Sequence, residues 1–237
     1  MAVVLIGTSV SAQPAKRRTT TSNAVAQKGA TSSTTSSKAW QMRIIVTGTT
    51  GGIGGAVKAA ALSRGHDVVE FNRAEFGAID LDQRAPFPFG GTFDAVAFCT
   101  GTCPVRPVAL TSDALLAETV RVNCGLFLSL MRRIVADRLA GPSGLRAVAV
   151  SSVSATEGWA GGAAYCASKG ALSALCRALD AELATKRISV RALEPRYVKT
   201  KMFDSCAGRM GVDPALAMDP ADFANEILEE MENKGGN

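Results

Sequence analysis

The feature that most constrains the fold is a short apolar run, RIIVT at residues 43–47, which leads directly into the glycine-rich sequence GTTGGIGG at residues 48–55. A stretch with helical character follows at residues 56–63 and is closed by Gly65. The order is therefore a buried strand, a tight glycine turn and a helix. This order predicts the first unit of a parallel sheet, in which a crossover helix follows each strand.

Further short runs of apolar or β-branched residues recur along the chain and alternate with helical stretches. We predict strands at residues 66–72, 78–81, 94–99, 145–151 and 188–193, and long amphipathic helices at about 112–139 and 165–186. Short buried strands that alternate with helices are typical of a sheet covered by helices on both faces. The predicted fold class is α/β, a single Rossmann-type three-layer domain with a doubly wound parallel sheet of about six strands.

Residues 1–41 differ in composition from the rest of the chain. They hold five of the 26 basic residues and none of the 21 acidic ones, so residues 42–237 carry 21 of each and the net charge of +5 belongs to the leader. Acidic-poor segments rich in Ser and Thr are typical of organelle transit peptides. We expect a disordered leader at 1–41 that directs the protein to the plastid (chloroplast) stroma, with cytoplasm or mitochondrion as alternatives. A plain disordered tail, a cloning remnant and a secretory signal peptide are the other interpretations.

Several classes of protein are disfavoured by composition. A neutral domain at residues 42–237 lacks the basic patch expected for nucleic-acid binding, and no apolar run reaches the 18 residues expected of a membrane span. The single histidine, His66, argues against hydrolases that use a histidine base and against an ordinary zinc site. The six cysteines show no CxxC spacing, so we expect reduced, buried thiols, with a redox-responsive thiol as the alternative.

The glycine turn predicts a phosphate site. The pyrophosphate of a dinucleotide must lie against backbone N–H groups at a helix N-terminus, and Gly48, Gly52 and Gly54 leave room for it. The cofactor type is indicated by the end of the second strand, where Asn72 and Arg73 stand in place of the acidic residue typical of NAD sites. A guanidinium suits the 2′-phosphate of NADP, so NADP(H) is favoured over NAD(H); the alternative is that Arg73 is only a solvated loop charge.

A tyrosine and a lysine, Tyr165 and Lys169, lie four residues apart on a predicted helix and so project from one face. An ammonium beside a phenol stabilises the phenolate and lowers its pKa, which suits acid-base chemistry. Ser152 ends a predicted strand, with twelve residues between it and Tyr165. The carboxyl edge of such a sheet is where open α/β proteins bind their ligands.

Together, the TGxxxGIG turn at residues 47–54, Ser152 with its spacing, and the YxxxK sequence at Tyr165 make the chain resemble the short-chain dehydrogenase/reductase family over about residues 42–230. The resemblance implies that Tyr165 is the general acid, Lys169 its pKa-lowering partner, Ser152 the orienter of a carbonyl and Asn123 the holder of a relay water. It also implies adenine contacts from Asp80 and Leu81. The implied cofactor-binding set is Gly48, Thr50, Gly52, Ile53, Gly54, Asn72, Arg73, Asp80, Leu81, Gly101, Tyr165, Lys169, Pro195 and Thr200.

The chain departs from the family pattern in three places. The NNAG segment after the fourth family strand is replaced by Phe98–Gly101, and Arg196 replaces the glycine of the PGxxxT segment. The sequence after the predicted last helix contains no further strand, which favours six strands over the usual seven. The glycine turn also fits the TGxxGxxG form of extended relatives, but those have a C-terminal substrate domain for which there is no length here.

These observations predict an NADPH-dependent oxidoreductase that reduces a carbonyl, with a 3-oxoacyl group or another ketone as substrate and no metal. The alternative is a catalytically silent NADP-binding regulatory or scaffold protein of the same fold. Residues 202–218 are expected to form a mobile loop over the substrate, because Gly208, Gly211 and Pro214 interrupt them. The two long helices resemble the pair that joins subunits in this family, which predicts a homodimer or homotetramer.

Overall fold

The computed structural model describes residues 40–78 and 86–233. At its centre lies a sheet of five parallel strands in the order β2-β1-β3-β4-β5. The strands are β1 (Arg43–Thr47), β2 (Asp67–Phe71), β3 (Ala95–Phe98), β4 (Leu145–Val150) and β5 (Ile188–Leu193). After β1 the chain builds outward on one side to β2 and then returns to place β3 on the other side. This reversal opens a crevice at the carboxyl ends of β1 and β3, where open α/β sheets bind ligands.

Seven helices flank this sheet in the described residues: α1 (Gly52–Ser63), α2 (Arg73–Ala78), α3 (Asp113–Val120), α4 (Leu126–Ala136), α5 (Ala163–Leu183), α6 (Lys201–Met210) and α7 (Pro220–Glu232). Alternate residues of β1 point to opposite faces. Ile44 and Val46 join one apolar cluster, which α1 and α7 complete, whereas Ile45 joins the other, to which α4 and α5 contribute. The predicted three-layer α/β architecture is confirmed.

The predicted strand at residues 78–81 falls almost wholly on residues that the structure does not describe. Ala78 is the last residue of α2, and Ile79–Leu81 lie outside the described residues, so the described sheet has five strands instead of six. A helix forms directly after β2 because the Glu75 carboxylate accepts a hydrogen bond from the Asn72 backbone N–H at 2.7 Å, which satisfies a donor at the start of α2.

The predicted helix at residues 112–139 is interrupted. One π-helical turn, Arg121–Gly125, separates α3 from α4, and the helix ends at Ala136. An 18-residue window within the 24 residues Asp113–Ala136 has a mean hydropathy of 1.4, so by length and composition alone this segment could cross a membrane, which the sequence analysis did not expect. One face of this segment contributes Phe127, Leu130 and Ile134 to the core under the sheet.

Candidate active site

The glycine turn joins β1 to α1 through close backbone contacts. Gly48 has φ +66°, and a Cβ atom there would lie 3.0 Å from the Cys99 carbonyl oxygen. A Cβ atom at Gly54 would lie 2.3 Å from the Gly48 carbonyl oxygen. Gly52 instead faces a side chain, because its Cβ would lie 2.6 Å from Cγ2 of Thr200. The turn therefore needs glycine both for its own packing and for Thr200 to reach the start of α1.

At the end of β2, Asn72 and Glu70 bond to the glycine turn, whereas Arg73 is exposed. The Asn72 side chain accepts a hydrogen bond from Thr49 N at 3.1 Å and donates one to Thr49 Oγ1 at 3.0 Å, so it fastens the glycine turn. The Glu70 carboxylate bonds Thr49 Oγ1 and Lys58, and both hydrogen bonds lower its pKa. Arg73 begins α2, is exposed, and has no hydrogen-bond or ion-pair partner among residues 40–78 and 86–233. Its guanidinium is thus available to a ligand.

The Thr47 hydroxyl organises the loop after β3. Its oxygen accepts hydrogen bonds from Cys99 N at 2.9 Å and Thr100 N at 3.1 Å, and Thr100 Oγ1 donates to it at 2.9 Å. Thr47 is fully buried. These contacts join the ends of β1 and β3 in a loop that lacks the asparagines of the family, so the altered Phe98–Gly101 segment retains an ordered hydrogen-bond network.

Asn123 lies behind the wall of the site. It is fully buried in the π-helical turn, and its amide accepts from Thr102 N at 2.7 Å and donates to Thr102 O and Ser168 Oγ at 2.8 Å. The π-helical turn places this side chain between the loop after β3 and α5. Its side chain therefore ties two walls of the site together.

Ser152, Tyr165 and Lys169 meet at the carboxyl end of β4. The Ser152 hydroxyl hydrogen-bonds Tyr165 and also accepts from Ser154 N at 3.1 Å. Lys169 Nζ donates to the Val150 carbonyl at 2.7 Å and lies 5.6 Å from the centre of the Tyr165 ring. Tyr165 and Lys169 share one face of α5, as their spacing predicts.

Ser151 and Ser173 link α5 to the carboxyl end of β4. The Ser151 hydroxyl donates to the Lys169 carbonyl at 3.2 Å and lies 2.7 Å from the Ser173 hydroxyl, which in turn donates to Glu194 at 2.6 Å. The sequence suggested only a polar strand end for Ser151. In the structure it links β4 to the backbone of Lys169 and so sets the position of the tyrosine-lysine pair.

Burial has the largest effect on the pKa values of Tyr165 and Lys169. It lowers the pKa of Lys169 to about 8 and raises the pKa of Tyr165 above its ordinary value, an effect to which the neighbouring thiols Cys103 and Cys206 add. The Ser152 hydrogen bond acts in the opposite direction on Tyr165. The expected lowering of the Tyr165 pKa by Lys169 is therefore not found, because desolvation of the phenolate is the largest effect and raises the pKa.

Residues 202–218 are mostly not a loop, and Met202, Phe203, Cys206 and Met210 among them line the far side of the site. They hold α6, a short 3₁₀ turn at Pro214–Leu216 and the segments between them. Thr200 Oγ1 accepts from Phe203 N at 3.1 Å and caps α6, whereas Gly211, at φ +65°, ends it. The prediction of a loop was wrong because Gly208 is tolerated inside this helix, whose buried face carries Phe203, Cys206 and Ala207.

A cavity of about 1380 Å³ lies at the carboxyl edge of the sheet, between the glycine turn, the loop after β3, the end of β4 with α5, and α6. The predicted residues that line it are Gly48, Thr50, Gly52, Ile53, Gly54, Asn72, Arg73, Gly101, Ser152, Tyr165, Lys169, Pro195 and Thr200. Asn123 is buried behind the wall, and Asp80 and Leu81 lie outside the described residues. The volume exceeds that of an ordinary small-ligand pocket, so it has room for a dinucleotide and a second molecule.

Several residues of this site were not identified from the sequence. Trp159 donates to Ser154 Oγ at 3.1 Å and stands 6.3 Å from the Tyr165 ring, and the ring of Tyr197 packs on Phe203 at 5.5 Å. Glu157, which forms an ion pair at 2.8 Å with Arg196, was likewise not identified, although the sequence analysis had noted Arg196 itself. The one signal available in advance for α6 was Thr200, a good N-cap residue followed by apolar residues at helical spacing.

Thiols also line the cavity, and metal ligands do not cluster there. All six cysteines are free, and only Cys176 and Cys206 are buried, so the expectation of buried thiols was wrong for the other four. Within the described part of the chain, no three His, Cys, Asp or Glu side chains are arranged to hold a metal ion.

Solved structures share this fold. A short-chain dehydrogenase from Streptomyces avermitilis is 21% identical with a TM-score of 0.65 over 84% of this chain and 87% of that chain. A Beutenbergia cavernae protein provisionally assigned as an NAD(P)-dependent gluconate 5-dehydrogenase, with NADP bound at low occupancy, is 23% identical with a TM-score of 0.67 over 79% and 88%. A 4-hydroxyisoleucine dehydrogenase complexed with NADH is 19% identical with a TM-score of 0.63 over 80% and 90%.

A comparison with curated proteins found no match. The family model described as short chain dehydrogenase, in contrast, matches residues 85–210, which is more than half of the chain. The matched segment contains Asn123, Ser152, Tyr165 and Lys169, although it begins after the glycine turn. The chain therefore belongs to the short-chain dehydrogenase family of NAD(P)-dependent oxidoreductases.

Proposed function

We propose that this protein is an NADPH-dependent carbonyl reductase, which converts an uncharged, hydrophobic ketone or aldehyde to the alcohol. The observation that carries the proposal is that Ser152, Tyr165 and Lys169 line one cavity with the glycine turn. A scaffold that only bound a dinucleotide would have no need for a half-buried tyrosine beside a buried lysine and a serine at this position. The silent alternative is therefore disfavoured.

The wall of the cavity fits a nicotinamide dinucleotide. The first N–H groups of α1 lack intrahelical partners, and Gly51 and Gly52 present no side chain beside them, so a pyrophosphate can approach the backbone. Gly48, Thr50 and the start of α1 would hold the pyrophosphate, while Pro195 and Thr200 would contact the nicotinamide end. When bound, this cofactor supplies the hydride that the carbonyl carbon accepts.

Arg73 favours NADP(H) over NAD(H). Related folds carry either form, because the Beutenbergia protein has NADP and the 4-hydroxyisoleucine dehydrogenase has NADH. In this chain the two carboxylates near the tip are already engaged, Glu70 by Thr49 and Lys58 and Glu75 by the Asn72 backbone N–H. The exposed Arg73 guanidinium can therefore receive a 2′-phosphate, whereas a ribose 2′-hydroxyl would find no free carboxylate among the described residues of this tip.

Tyr165, with Ser152 and Lys169 beside it, carries out the proton transfer. Tyr165 donates its phenolic proton to the carbonyl oxygen as the alcohol forms, and its raised pKa keeps the hydroxyl protonated at neutral pH. The Ser152 hydroxyl, already bonded to Tyr165, orients the same carbonyl oxygen. Lys169 stabilises the phenolate that remains, because the lysine side chain is mostly protonated at pH values below its pKa of about 8. Asn123 acts as a positioning residue through Thr102 and α5.

The substrate end favours an uncharged molecule. Its wall consists mainly of aromatic, thioether and thiol side chains: Cys103, Trp159, Tyr197, Met202, Phe203, Cys206 and Met210. Arg196, one of the basic residues that line the cavity, is paired with Glu157. Lys201 also lines the cavity and is exposed, so the apolar wall favours a free hydrophobic ketone or aldehyde while a 3-oxoacyl group on an acidic carrier is the alternative that the substrate screen tests.

The test is NADPH oxidation, followed by absorbance, across ketones, aldehydes, quinones and 3-oxoacyl thioesters. On any substrate that is reduced, Tyr165→Phe is expected to lose at least about 100-fold in kcat, the scale of one general acid, and still to bind NADPH. Tyr197→Phe is the matched control, because it removes a hydroxyl from the only other tyrosine of the chain, which lines the same cavity. We expect it to stay within roughly tenfold of the parent.

Two results would contradict the proposal. If Tyr165→Phe keeps most of its kcat on a verified substrate, another group donates the proton. If NADPH binds tightly but none of the four substrate classes is reduced, the silent regulatory or scaffold protein is the better description.

We also propose that residues 1–41 direct the protein to the plastid stroma. The support is their composition, with basic and hydroxyl residues and no acidic ones. Fusion of this leader to a fluorescent protein in plant or algal cells tests it, and cytoplasmic or mitochondrial fluorescence would overturn it.

A further inference from the structure

Two thiols face each other on the cavity wall. Cys103 lies in the loop after β3 and Cys206 lies on α6, far apart in sequence, yet their sulfur atoms are 3.5 Å apart. Both residues line the cavity beside Tyr165. All six cysteines lie in the described part of the chain, and this pair is the one thiol-to-thiol hydrogen bond among them.

The surroundings allow the two sulfurs to approach. A disulfide needs a sulfur-sulfur distance of about 2.05 Å, so the pair must close by about 1.5 Å from its 3.5 Å separation. Cys103 lies in a segment without regular structure, and α6 ends at Gly211, around which no atom lies within 4 Å of a would-be side chain. A small shift of either element therefore suffices.

We propose that Cys103 and Cys206 are a reversible modification site, a dithiol that a hydroperoxide or a small-molecule disulfide oxidises to a disulfide bridging α6 to the loop after β3. The bridge fastens α6 across the substrate end of the cavity. Its effect on turnover rests on the proposed function, whereas its formation does not.

The oxidation balances with a hydroperoxide as the two-electron acceptor. One thiolate attacks the peroxide oxygen, the O–O bond breaks, and a sulfenic acid and water (or an alcohol) form. The second thiol then attacks the sulfenic sulfur, the S–S bond forms and a second molecule of water leaves. Two electrons pass from the two sulfurs to the peroxide, and a dithiol reductant returns them. With a small-molecule disulfide, one protein thiolate breaks its S–S bond to form a mixed disulfide and release one thiol, and the second protein thiol then displaces the other thiol as the bridge forms. Burial raises the pKa of Cys103, so its thiol is a slow nucleophile and the reaction accelerates as pH rises.

The bridge would act on substrate access. Met202, Phe203 and Met210 of α6 form much of the apolar wall, so a substrate that reaches Tyr165 must pass this helix. In the reduced chain α6 is joined to the loop after β3 by the thiol contact and by a hydrogen bond from Arg209 to the Val105 carbonyl at 3.1 Å. A covalent bond would prevent the helix from moving aside.

The experiment treats the reduced full chain with hydrogen peroxide, or with oxidised glutathione, before any cofactor is added. The expected product is lighter by about 2 Da with peroxide, because two thiol hydrogens are lost, and a non-reducing peptide map joins Cys103 to Cys206. Amide exchange of residues 201–210 is expected to slow in the oxidised chain. Dithiothreitol should reverse all of these changes.

Turnover is compared with each protein's own reduced rate. The parent and Cys124→Ser, a matched control at a cysteine outside the cavity lining, should lose roughly tenfold or more on oxidation and recover on reduction. Cys103→Ser and Cys206→Ser should lose little, and Cys206→Ala serves if the serine variant does not fold. Separate oxidation or glutathionylation of the two cysteines without a bridge would overturn the site. A mapped bridge with unchanged amide exchange and rate would overturn the closure of α6. If no substrate has been found, the mass and exchange readouts still decide both points.

Discussion

Gly52 and Thr200 form a contact whose strength can be measured. A Cβ atom at residue 52 would lie 2.6 Å from Thr200 Cγ2 and 3.0 Å from Thr200 Cβ, well inside the 3.5–4.0 Å of an ordinary carbon contact. Thr200 cannot simply rotate away, because its Oγ1 accepts the hydrogen bond from Phe203 N that caps α6. Gly52→Ala should therefore either displace the backbone or break this cap.

Both responses have known costs. Overpacking of a filled site costs about 1–3 kcal/mol, and loss of a Thr N-cap costs about 1 kcal/mol. We expect Gly52→Ala to lower the free energy of unfolding by about 2 kcal/mol, which corresponds to a fall in Tm of roughly 4–8 °C for a domain of this size. Thr200→Ser removes Cγ2 but keeps Oγ1 for the cap. The double variant Gly52→Ala/Thr200→Ser should therefore recover about 1 kcal/mol or more as a coupling energy.

Gly54 provides the matched comparison on the same turn. A Cβ atom at residue 54 would lie 2.3 Å from Gly48 O and 2.8 Å from Thr47 O, and both neighbours are backbone atoms. Gly54→Ala should therefore cost at least as much as Gly52→Ala, and Thr200→Ser should not rescue it, because no side chain can be trimmed to make room.

The assay is urea unfolding of the cofactor-free chain, so that stability is measured separately from NADPH binding. The parent, the three single variants and both double variants with Thr200→Ser make two thermodynamic cycles. The reasoning is refuted if Gly52→Ala is as stable as the parent, if its cycle with Thr200→Ser is additive, or if Thr200→Ser rescues Gly54→Ala to the same extent.

Three further predictions follow from exposed or buried groups. Arg73→Ala should weaken NADPH binding by about 2 kcal/mol, or about thirtyfold, while NADH changes little, and equal losses in titrations of the two cofactors would make Arg73 a structural residue only. Burial raises the pKa of Cys176 to about 12 from 9.0, so the thiol ionises first in the unfolded chain and the free energy of unfolding falls as pH rises from 9 to 12. Cys176→Ala should reduce the slope of this fall by about 1.4 kcal/mol per pH unit in unfolding experiments at pH 8–11. An unchanged slope would contradict the assignment. Light scattering at micromolar concentration should give a dimer that Leu128→Asp dissociates, because Leu116 and Leu128 are 39% and 37% exposed on α3 and α4, and a monomeric parent would refute this.

The sequence allowed good predictions where the relevant contacts are close in the chain. The order strand, glycine turn, helix follows from local periodicity, and the turn needs glycine because backbone atoms of Gly48 and Gly54 meet. Tyr165 and Lys169 share a face because four residues nearly complete one helical turn. The family resemblance and the α/β fold class are confirmed on these grounds.

Other predictions failed where tertiary contacts override local signals. The glycines and proline of residues 202–218 predict a loop, but the Thr200 cap and the buried side chains of Phe203 and Cys206 stabilise α6. The helix at 112–139 reads as continuous, but the buried amide of Asn123 bonds Thr102 and Ser168 at a π-helical turn. In both cases the deciding partner is distant in sequence, so hydrophobic spacing alone cannot indicate it.

The position of Thr200 connects the two halves of the site. Its methyl group lies against Gly52 at the start of α1, where a pyrophosphate would approach, and its hydroxyl caps α6, which carries Cys206 and the apolar wall of the substrate end. A shift of the glycine turn on cofactor binding would therefore press on the same residue that orients α6. Because Cys206 lies on that helix, cofactor binding should also change the separation of Cys206 from Cys103. The rate at which the two thiols oxidise should thus differ between the free chain and the chain with NADP⁺ bound, whereas independent halves would give equal rates.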